Sequence, residues 1–168
     1  ERMLAGTDVL LECSYRDFIA EHPQCAARTI YCGPIDEFYD YCYGYLEYRS
    51  LRFSSEVIDE VNHQGNAVVN YTDRAVPYTR IIEHKHFEYG TQPKTVVTRE
   101  YPAAWQPGDE AYYPINDERN TQLYEQYADK ARTEGDIVFA GRLGGYKYYD
   151  MDKAINAALD LVDAELGV

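Results

Sequence analysis

Arginines and tyrosines are the side chains of this sequence best suited to chemistry. A guanidinium carries a fixed charge and forked donors that match a phosphate or carboxylate, and Arg49, Arg52, Arg80, Arg99 and Arg142 are the candidates for such a role. Tyrosine outnumbers phenylalanine 18 to 5, and its ring offers a flat apolar face with a hydroxyl at the tip, suited to stacking on a sugar while bonding its substituents. Two runs concentrate these groups: Pro77-Tyr78-Thr79-Arg80, and Tyr146-Lys147-Tyr148-Tyr149-Asp150-Met151-Asp152. The second follows Gly141-Arg142. A strand, a glycine turn and a helix starting at Asp150 would set free backbone N–H groups and the helix dipole beside a phosphate or ring-bearing cofactor. Each feature also has a plain structural reading. Arg80 on a strand could serve only a surface ion pair, half-buried tyrosines are common at sheet rims, and Asp150 suits a helix N-cap without any ligand. His63, His84 and His86 could suggest a metal, since His84 and His86 would share one strand face, but the third ligand is unspecified and no metal is expected.

The elements that must position these groups are bounded by composition. With 168 residues and 45% hydrophobic content, the chain can bury a core. A formal net charge of -13 argues against nucleic acid or an anionic membrane as partner, so the 16 Lys and Arg residues must be concentrated locally if the ligand is anionic. No apolar run reaches the roughly 18 to 20 residues of a membrane span, and a cytoplasmic location is the default expectation. Cys13, Cys25, Cys32 and Cys42 are irregularly spaced with no CxxC pair, the pattern of reduced thiols.

Glu1 to Ala5 reads as the tail of a helix whose start is missing. Asp8 to Leu11 and Ala27 to Tyr31 read as short buried strands, with a short helix or loop between Ser14 and His22. From Leu46 to Tyr101 four β-branched and aromatic runs follow (Leu46 to Phe53, Asn66 to Tyr71, Thr79 to Phe87, Lys94 to Tyr101). Short turns and no helices between them imply an antiparallel sheet. Asn116 to Glu134 then places Leu123, Tyr124, Tyr127 and Ala131 on one helical face, Asp136 to Ala140 is a strand, and Met151 to Leu166 is an amphipathic helix. The fold class is α+β, with α/β-like segments at both ends of a β-rich middle.

Gly33-Pro34-Ile35-Asp36, Leu46 to Leu51, Gln64 to Val68, Pro77 to Lys85, Arg99 to Pro102, Gly108 to Pro114 and Gly141 to Asp152 occur in the order and spacing of UDP-galactopyranose mutases, and the chain resembles that family over nearly its whole length. The resemblance implies an antiparallel-sheet substrate domain (46–115) flanked by segments 1–45 and 116–168 that complete an α/β FAD-binding domain. It implies an isomerase that interconverts UDP-galactopyranose and UDP-galactofuranose through a sugar adduct on N5 of reduced FAD. Arg80 would be the catalytic residue, holding the diphosphate and the reduced flavin's charge, with Arg49, Tyr113, Tyr148, Glu100 and Asp150 as further substrate contacts. Gly33, Pro34, Arg142, Asp150 and Met151 would touch FAD. Cys32, Cys42, His63, Ala111 and Ala140 depart from the family's usual residues, though none of them carries an assigned role.

No G-x-G-x-x-G fingerprint is present. The expectation is therefore a partial chain whose main FAD cradle, helical uridine-binding domain and second arginine-bearing loop lie upstream. The complete protein is expected to be a homo-oligomer, and this chain to self-associate through exposed apolar surface. A non-catalytic sugar-nucleotide or carbohydrate-binding β module remains the alternative, and a flavin-dependent amine-oxidase-like enzyme a third reading. On the leading reading, the 168-residue chain purified alone should carry little flavin. An absorbance spectrum showing one bound flavin per chain would overturn that expectation.

Overall fold

A computed structural model describes residues 2–167. After a 3-10 turn (Arg2–Leu4), the chain forms α1 (Tyr15–Glu21), β1 (Thr29–Tyr31) and α2 (Ile35–Phe38). The middle consists of β2 (Tyr48–Ile58), β3 (Val68–Asn70), β4 (Arg80–Glu83), β5 (Thr95–Ala104) and β6 (Tyr113–Pro114). It closes with α3 (Glu118–Glu134), β7 (Ile137–Phe139), α4 (Gly141–Gly144) and α5 (Met151–Leu166). Local chemistry marks the helix starts. Ser14 caps α1 by accepting from Asp17 N at 3.1 Å, and Asp117 caps α3 by accepting from Asn120 N at 2.7 Å. Each bond satisfies an N–H that has no partner within its helix.

The protein is α+β. Five antiparallel strands lie in the order β3-β4-β5-β2-β6, while β1 and β7 form a separate parallel pair. The long β2 and β5 pair over ten residues, from Arg49 opposite Ala104 to Ile58 opposite Thr95. Because side chains alternate in a strand, this register sorts the arginines. Arg49 and Arg80 fall on one face of the sheet. Arg52 and Arg99 fall on the other, where Arg52 stacks over the Tyr101 ring at 4.2 Å and Arg99 pairs with Glu56. Of the five arginines the sequence offered, these two are committed elsewhere.

The main core lies where the first strand of the sheet meets the α/β segments. Ile35, Tyr39, Leu46, Tyr48, Tyr127 and Tyr146 are buried together, with Phe38, Trp105, Leu123, Phe139 and Leu143 packed against them. A core this rich in tyrosine needs a partner for each hydroxyl. Tyr39 donates to Glu134 at 2.8 Å, Tyr48 to Asp36 at 2.9 Å, Tyr127 to the Gly44 carbonyl at 2.7 Å and Tyr146 to the Glu47 carbonyl at 2.6 Å. Burial, reinforced by the neighbouring carboxylate, pushes the Tyr39 and Tyr48 phenols well above their usual range.

Three sequence-based expectations are corrected. Asp8 to Leu11 forms no strand, and Val9, Leu10 and Leu11 are exposed, so hydrophobicity alone did not recruit a pairing partner. The strand from Thr79 stops at Glu83, because His84–Glu88 is a 3-10 turn. His84 and His86 therefore do not share a strand face: His84 Nε2 bonds Thr98 Oγ1 at 2.8 Å, while His86 Nε2 lies 3.0 Å from the Glu83 carboxylate. The four cysteines carry free, exposed thiols. Glu1, part of the expected helix tail, lies outside the described residues.

Glu83 anchors this end of the sheet. Its carboxylate is completely buried and accepts from Gln64 N at 2.9 Å, His63 N at 3.1 Å and Thr95 Oγ1 at 2.7 Å. Burial by itself would raise its pKa, but these donors more than offset it and hold the group at about 2, against 4.5 in the unfolded chain. A depressed folded-state pKa stabilises the fold fully above the unfolded value, and the contribution fades as pH falls towards about 2. Glu83→Gln should therefore lower the thermal unfolding midpoint strongly near neutral pH and much less in strong acid. A deficit of equal size at both pH values would show that the charge on Glu83 is not what stabilises the fold.

Candidate functional site

On the face that carries Arg49 and Arg80, the register builds a row across four strands. Asn70, Arg80, Glu100 and Phe53 are direct neighbours on β3, β4, β5 and β2. Arg80 Nε donates to Asn70 Oδ1 at 3.0 Å, and its Nη1 lies 3.5 Å from Glu100 Oε2. Glu100 is 9% exposed, so its charge requires compensation. Arg80 provides part of it, and Thr79 provides the rest, with its hydroxyl 3.1 Å from Glu100 Oε1. A guanidinium has five N–H donors. With one directed at Asn70 and one at Glu100, three remain available for a ligand.

Arg49 lies four residues from Phe53 on the same face, about 13 Å along the strand, and is paired in register with Tyr113. Its side chain makes no ion pair or hydrogen bond among the described residues. Tyr113 packs on Tyr148, ring centroids 5.5 Å apart. The Arg142 guanidinium stands 5.0 Å from the Tyr113 ring and 5.7 Å from the Tyr148 ring, a cation–π arrangement, and donates to the Tyr149 carbonyl at 2.5 Å. Tyr148 remains 57% exposed, with its hydroxyl free for a ligand. This cluster owes its position to Tyr146, whose backbone is left-handed (φ 45). That conformation is unfavourable for a residue with a side chain, and it is held by the Tyr146 hydroxyl bonds to the Glu47 and Ile115 carbonyls.

Gly33 and Pro34 follow β1, and Arg142 follows β7, at the carboxyl ends of the parallel pair, where Tyr31 lies opposite Phe139. Ligands of open α/β sheets bind at this end of the strands. Close backbone packing there requires glycine: a Cβ on Gly144 would stand 2.7 Å from the Tyr31 carbonyl oxygen. Asp150 occupies the N-cap position of α5 but makes no capping hydrogen bond. The carboxylate and the first-turn N–H groups are thus both left for other partners. Met151 is exposed beside them. Arg142, bonded to the Tyr149 carbonyl beside α5, and the free N–H groups of that helix start are the donors here that could hold an anionic group.

Two groups of sequence-selected residues are therefore each brought together: Arg80 with Glu100, and Tyr113 with Tyr148 and Arg142. Arg49 connects them through β2. Arg142, expected as a cofactor contact, lies against the two tyrosines expected at the substrate. Asn70 and Thr79 escaped sequence reasoning although they hold the Arg80 assembly. Thr79 adjoins Arg80 in the Pro77 to Arg80 run, but its partner Glu100 is 21 residues away, and only strand register brings them together.

The fold is α+β, and one face of its sheet carries Arg80 at one end and Arg49 with Tyr113 at the other, the latter packed on Tyr148. A family model of UDP-galactopyranose mutase matches residues 1–148, and the chain belongs to that family. It is 42% identical to a probable UDP-galactopyranose mutase of Klebsiella pneumoniae over 88% of its length and 38% of the relative's. It is 39% identical to a UDP-galactopyranose mutase of Mycoplasma genitalium over 76% of its length and 33% of the relative's. A dTDP-fucopyranose mutase of Escherichia coli is 38% identical over 79% of the chain and 36% of its own length. The chain thus spans little more than a third of these relatives. No helix among the described residues is long and apolar enough to cross a membrane.

Proposed function

We propose that this chain forms the diphosphate-facing wall of a sugar-nucleotide mutase that interconverts UDP-galactopyranose and UDP-galactofuranose. The observation that carries the reading is the placement of Arg80 and Arg49 on one sheet face, with Arg49 paired to Tyr113 and Tyr113 packed on Tyr148. Such a wall spans the length of a diphosphate and an attached sugar. The relatives' names support the ring-contraction chemistry, and the mutase that acts on dTDP-fucopyranose marks the nucleobase and sugar as the variable parts of the substrate.

In this reading residues 46–115 are the substrate domain, and segments 1–45 and 116–168 complete a cofactor-binding domain. Support comes from the parallel β1–β7 pair, since parallel sheets are ordinarily covered on both faces. Here Ile30 and the α5 residues Ile155, Leu159, Val162 and Leu166 are exposed. A reduced flavin, when bound, supplies the nucleophile that takes the sugar from its diphosphate.

The chain's own residues position and stabilise. Arg80 offers three N–H donors to the departing diphosphate, whose charge grows as the glycosidic bond breaks. Arg49 adds a second cation about 13 Å further along the strand direction. Tyr113 and Tyr148 donate hydroxyl hydrogen bonds, and the Asp150 carboxylate can accept from a sugar hydroxyl. Holding the released diphosphate in place while the sugar reopens and recloses is an entropic task, because the same two partners must recombine.

In the complete protein, Arg80→Ala should reduce turnover by at least about a hundredfold, the scale for losing one stabilising donor of a developing anion, with the protein still folded but its unfolding temperature lowered, because Glu100 loses part of its compensation. Normal turnover would remove Arg80 from the mechanism. Tyr148→Phe and Tyr113→Phe should each weaken UDP binding by about 0.5 to 1.5 kcal/mol, as calorimetry would show. Unchanged affinity in both would separate the tyrosines from the diphosphate.

A further inference from the structure

We infer that Thr79 is a positioning residue that keeps the guanidinium of Arg80 available to the ligand by occupying one oxygen of Glu100. The inference rests on the reading of Arg80 as the diphosphate-holding cation. Thr79 makes three contacts with one residue: its N–H donates to the Glu100 carbonyl at 2.9 Å, and its hydroxyl lies 3.3 Å from that carbonyl and 3.1 Å from Glu100 Oε1. Arg80 is itself the register partner of Glu100. Thr79, immediately before β4, and Arg80, its first residue, thus both reach Glu100, each through a different carboxylate oxygen.

The consequence concerns the guanidinium. A carboxylate and a guanidinium left to themselves adopt a bidentate fork, with two parallel N–H···O bonds. That geometry would consume a further Arg80 donor and cancel more of its charge in a half-buried setting. Thr79 engages Oε1, so only Oε2 is turned towards Arg80, and it stays at the long distance of 3.5 Å. Asn70 takes Nε from the opposite strand and fixes the plane of the group. The outer edge of the guanidinium is left for the ligand. Removing the hydroxyl frees Oε1 to complete the fork, which reduces ligand binding without deleting any group that touches the ligand.

The test is UDP affinity of the complete protein, measured by calorimetry on Thr79→Val, Thr79→Ser and Arg80→Ala, and on Thr79→Val combined with Arg80→Ala. Thr79→Val should weaken UDP binding about fivefold, Thr79→Ser should restore it, and the valine should cause no further loss once Arg80 is absent. Should valine disturb folding in thermal unfolding, Thr79→Ala poses the same question. Unchanged affinity in the hydroxyl-less variant would overturn the inference, as would an equal loss with and without Arg80, which marks a merely structural role. If Arg80→Ala alone leaves UDP affinity unaltered, the diphosphate reading itself fails, an outcome distinct from failure of Thr79.

Discussion

The buried carboxylate of Asp36 joins the two halves of this molecule. It is 1% exposed and accepts from Leu46 N at 2.9 Å and from the Tyr48 hydroxyl at 2.9 Å. Burial raises its pKa, and these two donors offset only part of the rise. Asp36 belongs to α2, just beyond the carboxyl end of β1, whereas Tyr48 begins the long strand of the sheet and Leu46 lies just before it. The anion therefore bolts the sheet to the α/β segment. Removing the Tyr48 hydroxyl would take one hydrogen bond from this buried carboxylate, a loss of about 1.5 to 3 kcal/mol. Tyr48 then packs on Tyr146 and Trp105, and Tyr146 in turn sets the path of the chain towards Tyr148.

The ligand wall follows from that joint. Tyr113 is on the last strand of the sheet and Arg142 and Tyr148 are on the α/β side, so their stacking exists only if the two parts are docked at one angle. The joint thus converts a packing contact into a site contact. The same residue type does both jobs. Tyr39, Tyr48, Tyr127 and Tyr146 are core members with satisfied hydroxyls, whereas Tyr113 and Tyr148 keep theirs at the surface. The excess of tyrosine serves a core that must bury aromatic area beside charged groups, and in the proposed function it also serves a site for an anionic, hydroxyl-bearing ligand.

Strong net negative charge would not prevent this protein from holding the proposed anionic ligand, because the cations are sorted. Arg52 and Arg99 are occupied on one face by Tyr101 and Glu56. Arg49 and Arg80 stand on the other, where Glu100 is the acid that must be kept from neutralising them. Local arrangement, not overall charge, decides what such a surface attracts.

Much of this was legible in the sequence. Period-two runs with short turns determined the antiparallel sheet, three- and four-residue spacing determined α3 and its buried face, and collinear motifs placed the chain in its family and singled out Arg80, Tyr113 and Tyr148. These signals are local or depend on order along the chain. Tertiary structure alone decided that Asp8 to Leu11 remains unpaired, that the strand after Arg80 ends at Glu83 in a 3-10 turn, and that Arg52 and Arg99 face away from the site. It alone placed Thr79 and Asn70 around Arg80. The physical reason is register: a shift of one residue moves every side chain to the opposite face. Register is set by pairing between residues 14 to 55 positions apart, a relation that no local pattern in the chain records.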